Sequence, residues 1–235
     1  ILAQVHYAAT LPFRLAPGAS RGPASPAAMS GGIMEYNGSA IVAMAGKNCI
    51  AIASDTRYGV RQLQTMQCQR QKTFKMTDQC FVGLSGLATD VQTLSQTLDF
   101  HIRLYELKEE RQMEPKVLGN LLSHMLYEKR FGPWFCEPVV AGLGKDGKPF
   151  LCAFDFIGAM SMAQDFVVSG TTSEQLYGVC ESFWREDMDK DELFETVSQC
   201  LLCAVDRDCL AGWGGEVHII TPDEIITRKL KGRMD

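Results

Sequence analysis

The chain has 235 residues, of which 46% are hydrophobic and 22% charged, a balance typical of a globular protein rather than a fibrous or disordered one. Its 23 basic and 28 acidic residues give a formal net charge of −5, which argues against binding to a phosphate backbone. No apolar run reaches the roughly 18 residues of a transmembrane helix. We therefore expect neither a nucleic-acid nor a membrane partner.

The nine cysteines do not indicate a disulfide scaffold, because their number is odd, the chain is long and most of them lie in apolar stretches. We interpret them as buried thiols of a protein in the cytoplasm and nucleus. Cys200 and Cys203 have the spacing of a metal-binding pair, but no second pair accompanies them, so core packing is the favoured reading. We expect no metal and no cofactor.

The first 28 residues differ from the rest. They contain no acidic residue, carry only Arg14 and Arg21 as charges, and are rich in Ala, Pro, Gly and Ser. Such a segment is predicted to be a disordered extension. It has the composition of an organelle transit peptide, but we favour an extension or leader upstream of a true start at Met29. The remaining domain, 29–235, has 21 basic and 28 acidic residues, a charge of −7.

In chain order, apolar runs at 39–44 and 49–54 flank turn residues and predict a β-hairpin, and 80–84 predicts a further strand. Thr89 with Gln92 has the spacing of a capping box, which predicts a helix from Thr89 to about Arg111. Pro115 suits the first turn of a second amphipathic helix, which ends before 131–133.

The second half repeats this order. Runs at 139–143 and 150–156 predict a hairpin, 166–168 predicts a strand, and Thr172 with Gln175 is a second possible capping box. An apolar stripe from Leu193 to Ala204 marks a fourth helix, and a last hairpin spans 217–230. Strands joined by hairpins form mainly antiparallel sheets, and each helix pair can cover one sheet. We therefore predict an α+β fold, a four-layer αββα sandwich with two sheets flanked by helix pairs.

Several long stretches, among them GLSGLATDVQTL, DFVVSGTTSEQLYGVCES and the C-terminal LKGRMD, resemble the β-type subunits of the 20S proteasome. The resemblance extends over about residues 29–235. It implies the N-terminal-nucleophile hydrolase fold and a place in a two-fold symmetric stack of seven-membered rings. The implied partners are other β subunits in the same ring, the opposed β ring and the α-ring subunits.

The resemblance also implies where a catalytic site would lie. Members that cut peptides use an N-terminal Thr that is freed by cleavage after a Gly, and its own α-amine accepts the hydroxyl proton. Counting back 16 residues from Asp55 places a serine at this position, directly after Gly38. The family positions that match in this chain are the nucleophile Ser39, the acidic Asp55, Ser169, Asp208 and the oxyanion glycine Gly86.

Other positions depart from the family pattern. Gln71 stands where the family Lys is expected and Lys72 follows one place later, so a one-residue insertion is required. Ala211 replaces a Ser, and the chain resembles a non-cutting branch of the family. We therefore predict a non-catalytic structural subunit in which these positions are vestigial. Asp155 matches an acidic residue that the family places in the wall of a neighbour's substrate pocket, although Ala159 stands where a Cys often follows.

Two other functions stay open at this point: a self-processing hydrolase with Ser39 as nucleophile, and a stand-alone interaction module.

The residues that match the family positions also have simpler, structural interpretations. Asp55, Arg57 and Asp208 are predicted to form a structural charge network, because buried charges need partners. Ser169-Gly170 is predicted to form a turn before the third helix. Aromatic residues in the Gly/Pro-rich loop at 131–135, namely Phe131, Trp134 and Phe135, are a candidate interface anchor.

Overall fold

The computed structural model of the chain describes residues 32–234, so the extension predicted at 1–28 lies outside the described residues. A short 3-10 helix, Ile33–Glu35, comes first. The strands that follow are β1 (Ala40–Gly46), β2 (Cys49–Asp55), β3 (Tyr58–Val60), β4 (Gln64–Gln67), β5 (Thr73–Thr77), β6 (Cys80–Gly86), β7 (Cys136–Leu143), β8 (Pro149–Phe154), β9 (Met160–Ala163), β10 (Phe166–Gly170), β11 (Gly215–Ile220) and β12 (Ile225–Leu230). The helices are α1 (Ala88–Glu109), α2 (Pro115–Glu128), α3 (Ser173–Phe183) and α4 (Lys190–Val205).

Two five-stranded antiparallel sheets form the centre of the fold. The first has the order β10-β1-β2-β11-β12, and the second has the order β5-β6-β7-β8-β9. Helices α3 and α4 pack on the first sheet, and α1 and α2 pack on the second. A third apolar cluster lies between the sheets. The predicted αββα sandwich is confirmed.

Strand β1 explains why the central strands are continuous apolar runs. Ile41 and Ala43 point into the cluster between the sheets, whereas Val42 and Met44 belong to the cluster under α3 and α4. A strand that is buried on both faces cannot alternate apolar and polar residues. The predicted hairpin is present, with Met44 paired to Ala51.

Both predicted capping boxes are wrong in detail. Helix α1 begins at Ala88, and its N-cap residue is Leu87, which has no side-chain cap. Thr172 does occupy the N-cap position of α3, but its buried hydroxyl has no hydrogen-bond partner. Its backbone, with φ −93° and ψ 10°, lies outside the extended conformation that directs an N-cap side chain towards the helix.

Four strands were not predicted. Strand β4 is mostly exposed, β3 has three residues and β9 has four, so none of them carries a long apolar or alternating run. Strand β5 buries Thr73 and Thr77 but no aliphatic residue. Short polar strands give little periodicity to read from a sequence. Within residues 32–234, no helix is long and apolar enough to span a membrane.

Candidate functional site

Ser39 lies directly before β1 and is enclosed by its surroundings. The residue is 2% exposed, and its Oγ has no hydrogen-bond partner. Its carbonyl accepts the backbone N–H of Thr171 at 2.8 Å. Gly170, with φ +103°, packs so closely that a Cβ there would overlap the Ser39 carbonyl oxygen. Only glycine permits this contact between β10 and the residue that matches the nucleophile.

Lys72, rather than Gln71, reaches this end of β1. Its Nζ donates to Asp55 Oδ1 at 2.7 Å and to the Gly38 carbonyl at 3.1 Å. The Gln71 side chain instead donates to the backbone of Thr73. Burial lowers the pKa of Lys72, and the carboxylate of Asp55 opposes that shift. The ammonium is thus held between a carboxylate and a peptide carbonyl.

The hairpin of β3 and β4 contains a β-bulge. The pairing of β3 with β4 shifts by one residue between Tyr58 and Gly59, because β4 has Met66 as an extra residue between Thr65 and Gln67. The bulge lies between Asp55 and Lys72 in the chain. A bulge adds one residue to a strand without changing its partner.

Asp55 is fully buried at the end of β2, and backbone groups surround its carboxylate. Besides Lys72, it accepts the N–H of Ala40 at 2.8 Å and that of Gly212 at 3.2 Å. Several N–H donors around a buried carboxylate offset part of the cost of removing it from water. Asp55 therefore ties β1 and the loop before β11 to the end of β2.

The predicted charge network of Asp55, Arg57 and Asp208 is wrong. The guanidinium of Arg57 donates to backbone carbonyls, among them that of Leu210 at 2.8 Å. The carboxylate of Asp208 accepts the hydroxyl of Thr171 at 2.7 Å. The sequence could not distinguish these partners, because carbonyl oxygens satisfy a buried guanidinium as well as a carboxylate does.

Ser169 lies in β10 rather than in the predicted turn. Its hydroxyl is 2.6 Å from the Ser85 hydroxyl and donates to the Glu137 carbonyl at 2.9 Å. Ser169 thus joins the two sheets, since Ser85 is on β6. Gly86, the last residue of β6, has φ +108°, and a Cβ there would overlap a backbone carbonyl. These contacts hold the sheets together at the end where Ser39 lies.

The space left beside these groups is small. A cavity of about 20 Å³ lies between Ser39, Lys72 and Gly86. A single water molecule needs roughly 10–15 Å³ of such volume. The cavity can therefore hold one water but has no room for a peptide.

Asp155 lies in the turn between β8 and β9 and fixes that turn itself. Its Oδ1 accepts the backbone N–H of Ala159 at 2.7 Å and that of Ile157 at 3.1 Å. One carboxylate oxygen therefore has two backbone partners, which is the role of Asp in tight turns.

The remaining sequence candidates are separated in the structure. Cys200 is buried whereas Cys203 is exposed, so the two thiols do not face one site. Among residues 32–234, no group of His, Cys, Asp and Glu side chains is arranged to hold a metal ion. Phe131 is fully exposed in the loop after α2, where an interface anchor was predicted.

One residue of the site was missed from the sequence. Asn37 is buried two positions before Ser39, and its side chain bonds to both β3 and the start of α1. Asn-Gly is normally a turn signal, so the pair Asn37-Gly38 gave no indication of a buried carboxamide.

Comparison with known proteins agrees with this fold. Residues 35–220 match the family described as "Proteasome subunit". The chain is 63% identical over 203 residues to "Proteasome subunit beta type-3-A" of Arabidopsis thaliana and 61% identical over 203 residues to "Proteasome subunit beta type-3" of Picea mariana. It is 49% identical over 204 residues to "Proteasome subunit beta type-3" of Drosophila melanogaster. Each alignment covers 86% of this chain and 99% of the relative. The chain belongs to the proteasome subunit family, and within it resembles the beta type-3 subunits.

Proposed function

We propose that this chain is a non-catalytic structural β subunit of the 20S proteasome core particle, present in the cytoplasm and nucleus. In this role it occupies one position of a β ring, contacts α-ring subunits and the opposed β ring, and supports protein degradation by active neighbours. The observation that carries the proposal is Ala211, a buried side chain without the hydroxyl that the resemblance implies beside the Asp208 motif.

An N-terminal nucleophile needs a free α-amine as its base. The nitrogen of Ser39 is part of the Gly38–Ser39 peptide and donates to Thr171 Oγ1 at 3.4 Å. The ammonium of Lys72 is held by Asp55 and Gly38. As long as the Gly38–Ser39 bond is intact, the nitrogen of Ser39 cannot serve as this base.

Substrate access to Ser39 also depends on residues 32–38. A reacting carbonyl must approach the nucleophilic oxygen to about 3–3.5 Å. The 20 Å³ cavity beside Ser39 does not admit a peptide, and Gly170 closes the other side of the residue. A hydrolase of this fold would require residues 32–38 to leave.

The alternative of a self-processing hydrolase has one observation in its favour. The Lys72 ammonium donates to the Gly38 carbonyl, which polarises the bond that self-cleavage would break. The Ser39 hydroxyl follows that bond directly. We favour the non-catalytic role, because the buried Ala211 offers no hydroxyl at the position where the resemblance implies a Ser.

The turn at Asp155 supports a contribution to a neighbour's pocket. Its carboxylate is fixed by Ile157 and Ala159, so the side chain would present one constant geometry to an adjacent subunit. A residue with a fixed rotamer lines a binding site without losing conformational entropy on binding.

The mature N-terminus tests the proposal directly. We expect the intact mass of the subunit from purified core particles to include residues upstream of Ser39. A mass that begins at Ser39 would overturn the non-catalytic assignment. Measurement of the native size tests the alternative of a stand-alone module. A stand-alone module would elute as a monomer, whereas a core-particle subunit would elute within a particle of many subunits.

Replacement of the candidate nucleophile gives the second test. Ser39→Ala is expected to leave peptide hydrolysis by the assembled particle unchanged. Ser198→Ala is a matched control, because Ser198 Oγ is also buried without a hydrogen-bond partner but lies on α4. A loss of hydrolysis in Ser39→Ala particles alone would support the self-processing hydrolase.

A further inference from the structure

A second, larger cavity lies at the β12 edge of the first sheet. Its volume is about 510 Å³, which is within the range of small-molecule binding sites. One wall is formed by β11, β12 and the residues that flank them, and the other by residues 68–71, which lead into β5. Unlike the small cavity beside Ser39, this one has room for an organic ligand.

Three cationic side chains line this cavity, Arg70 on one wall and Lys229 and Lys231 on the other. Within the described part of the chain, none of the three has a carboxylate within ion-pair distance. Glu216 is the one carboxylate of the described lining. It stands opposite Lys229 in the pairing of β11 with β12 and lies 3.9 Å from His218 Nε2. Three cations against one carboxylate give the lining a positive charge, which favours an anionic ligand.

Arg70 is the most constrained of the three cations. Its guanidinium carbon lies 4.8 Å from the centroid of the Tyr58 ring, and its backbone N–H donates to the Thr56 carbonyl at 3.0 Å. Stacking on an aromatic face leaves the N–H groups of a guanidinium free in its own plane. Arg70 is therefore a positioned donor for an oxyanion.

The buried part of the lining gives a ligand no further charge. His218 is buried, and its two ring nitrogens lie 3.0 Å and 2.9 Å from the hydroxyls of Thr73 and Thr227. Both nitrogens thus have partners within the protein. Lys229 follows Thr227 by two positions in β12, so the two side chains lie on the same face of that strand. An anion in the cavity would therefore be held by the cations around it.

We propose that this cavity binds a small organic phosphate. The phosphate group contacts Arg70, Lys229 and Lys231, because guanidinium groups bind phosphate oxygens through paired N–H donors and lysine binds them as a point charge. The organic part lies against Trp213 and Met234, which also line the cavity. A phosphate group alone would leave most of the volume unfilled.

The test labels purified core particles with pyridoxal 5′-phosphate. Its aldehyde condenses with a lysine amine to form an imine and water, and borohydride then reduces the imine to a stable amine. Pyridoxal, which lacks the phosphate, is the matched reagent. Labelling of Lys229 or Lys231 should be about tenfold stronger with the phosphate, as expected for hydrogen bonds to a charged group. The exposed Lys148, which lies outside the cavity, should react equally with both reagents.

Peptide mass spectrometry measures the labelling of each lysine. Excess inorganic phosphate should suppress the reaction at the cavity lysines and leave Lys148 unchanged. Equal labelling of the cavity lysines by the two reagents would overturn the site. Absence of label from both Lys229 and Lys231 in core particles would overturn it as well.

Arg70→Gln particles test the contribution of the positioned guanidinium. Labelling of the cavity lysines by pyridoxal 5′-phosphate should fall several-fold, whereas Arg70→Lys, which keeps the charge, should retain most of it. Arg185→Gln removes an exposed arginine after α3 and is the matched control, with no change expected. Unchanged labelling in Arg70→Gln would overturn the site, and where this variant does not enter particles the two reagents on wild-type particles decide.

The organic-phosphate site and the proposed function fail separately. The cavity lysines do not contact Ser39, and the site requires no particular state of the Gly38–Ser39 bond. The intact mass of the subunit from the same particles reports that bond. Failure of the labelling test therefore leaves the non-catalytic role in place, and a cleaved bond leaves the organic-phosphate site in place.

Discussion

Two buried polar clusters hold the sandwich together, and adjacent residues serve them. Lys72 reaches the first cluster, where its ammonium pairs with Asp55 at 2.7 Å. Thr73 reaches the second, where its hydroxyl lies 3.0 Å from His218 Nε2. Successive side chains of an extended segment point in opposite directions, so one short stretch at the start of β5 supplies both.

The clusters differ in charge. The first contains an ion pair removed from water, whereas the second joins an imidazole to two hydroxyls, since Thr227 Oγ1 lies 2.9 Å from His218 Nδ1. Phe81 stacks on the imidazole with ring centroids 4.7 Å apart. The second cluster thus links β11 to β5, β6 and β12, and therefore joins the two sheets, without any charge having to be desolvated.

This difference predicts how each cluster fails. A buried ion pair contributes little net stability compared with apolar residues, but removal of one partner leaves the other charge buried and unpaired. Loss of one neutral hydrogen bond leaves only a polar atom without a partner. The ion pair should therefore be the more sensitive of the two.

The largest effect is expected for Lys72→Met. The substitution leaves the fully buried Asp55 carboxylate without its cation and should cost about 3–5 kcal/mol. For a chain of this size that corresponds to a fall of roughly 10 °C in melting temperature. The temperature at which the subunit becomes protease-sensitive within purified particles measures the change.

An exposed ion pair provides the control for this substitution. Lys75 and Asp78 are 3.1 Å apart, and both side chains are about half exposed or more. Lys75→Met should cost less than about 1 kcal/mol, as for other surface pairs. Equal effects of Lys72→Met and Lys75→Met would show that burial of the Asp55 carboxylate does not set the sensitivity of the first cluster.

A smaller effect is expected in the second cluster for Thr73→Val. The valine fills the same volume but leaves His218 Nε2 unpaired, which should cost about 1–3 kcal/mol. The same protease-sensitivity measurement applies. The control is Thr93→Val on the exposed face of α1, which removes a hydroxyl that donates to the Thr89 carbonyl. This substitution should change the stability of the subunit very little. A Thr73→Val loss as large as that of Lys72→Met would contradict the distinction between charged and neutral clusters.

The sequence predicted the layers of the sandwich but not the partners within its polar clusters. The apolar runs of β1 and β2 and the stripe of α4 are local patterns, and the structure confirms them. The cap of α1 was assigned to Thr89, whereas it comes from Asn37, because a side chain from another part of the chain can satisfy a helix end.

The same limit applies to the ion pair. Counting residues gave Gln71 at the family Lys position, whereas Lys72 reaches Asp55 in the fold, and a bulge in β4 lies between these two residues in the chain. A bulge depends on strand pairing, which a count along the chain does not contain. The long apolar elements could therefore be read from the sequence, whereas the short polar strands and the contacts between elements required the fold.

The smallest predicted effect is the pH dependence of the second cluster. Burial lowers the pKa of His218, and the Glu216 carboxylate, 3.9 Å away, opposes this shift. The folded state therefore binds its proton less readily than the unfolded chain, whose histidine titrates near 6.5. As the pH falls below about 6.5, the unfolded chain takes up the proton first, so stability decreases until the folded pKa is passed and then levels off.

His218→Gln should flatten this part of the pH profile, because glutamine keeps a donor and an acceptor for the threonines but does not titrate. Melting temperatures of wild-type and variant particles between pH 5 and 8 give the comparison. An identical slope in both would show that the imidazole is not the titrating group. The expected pH dependence is therefore a property of the second cluster, although the first cluster is the more sensitive to substitution.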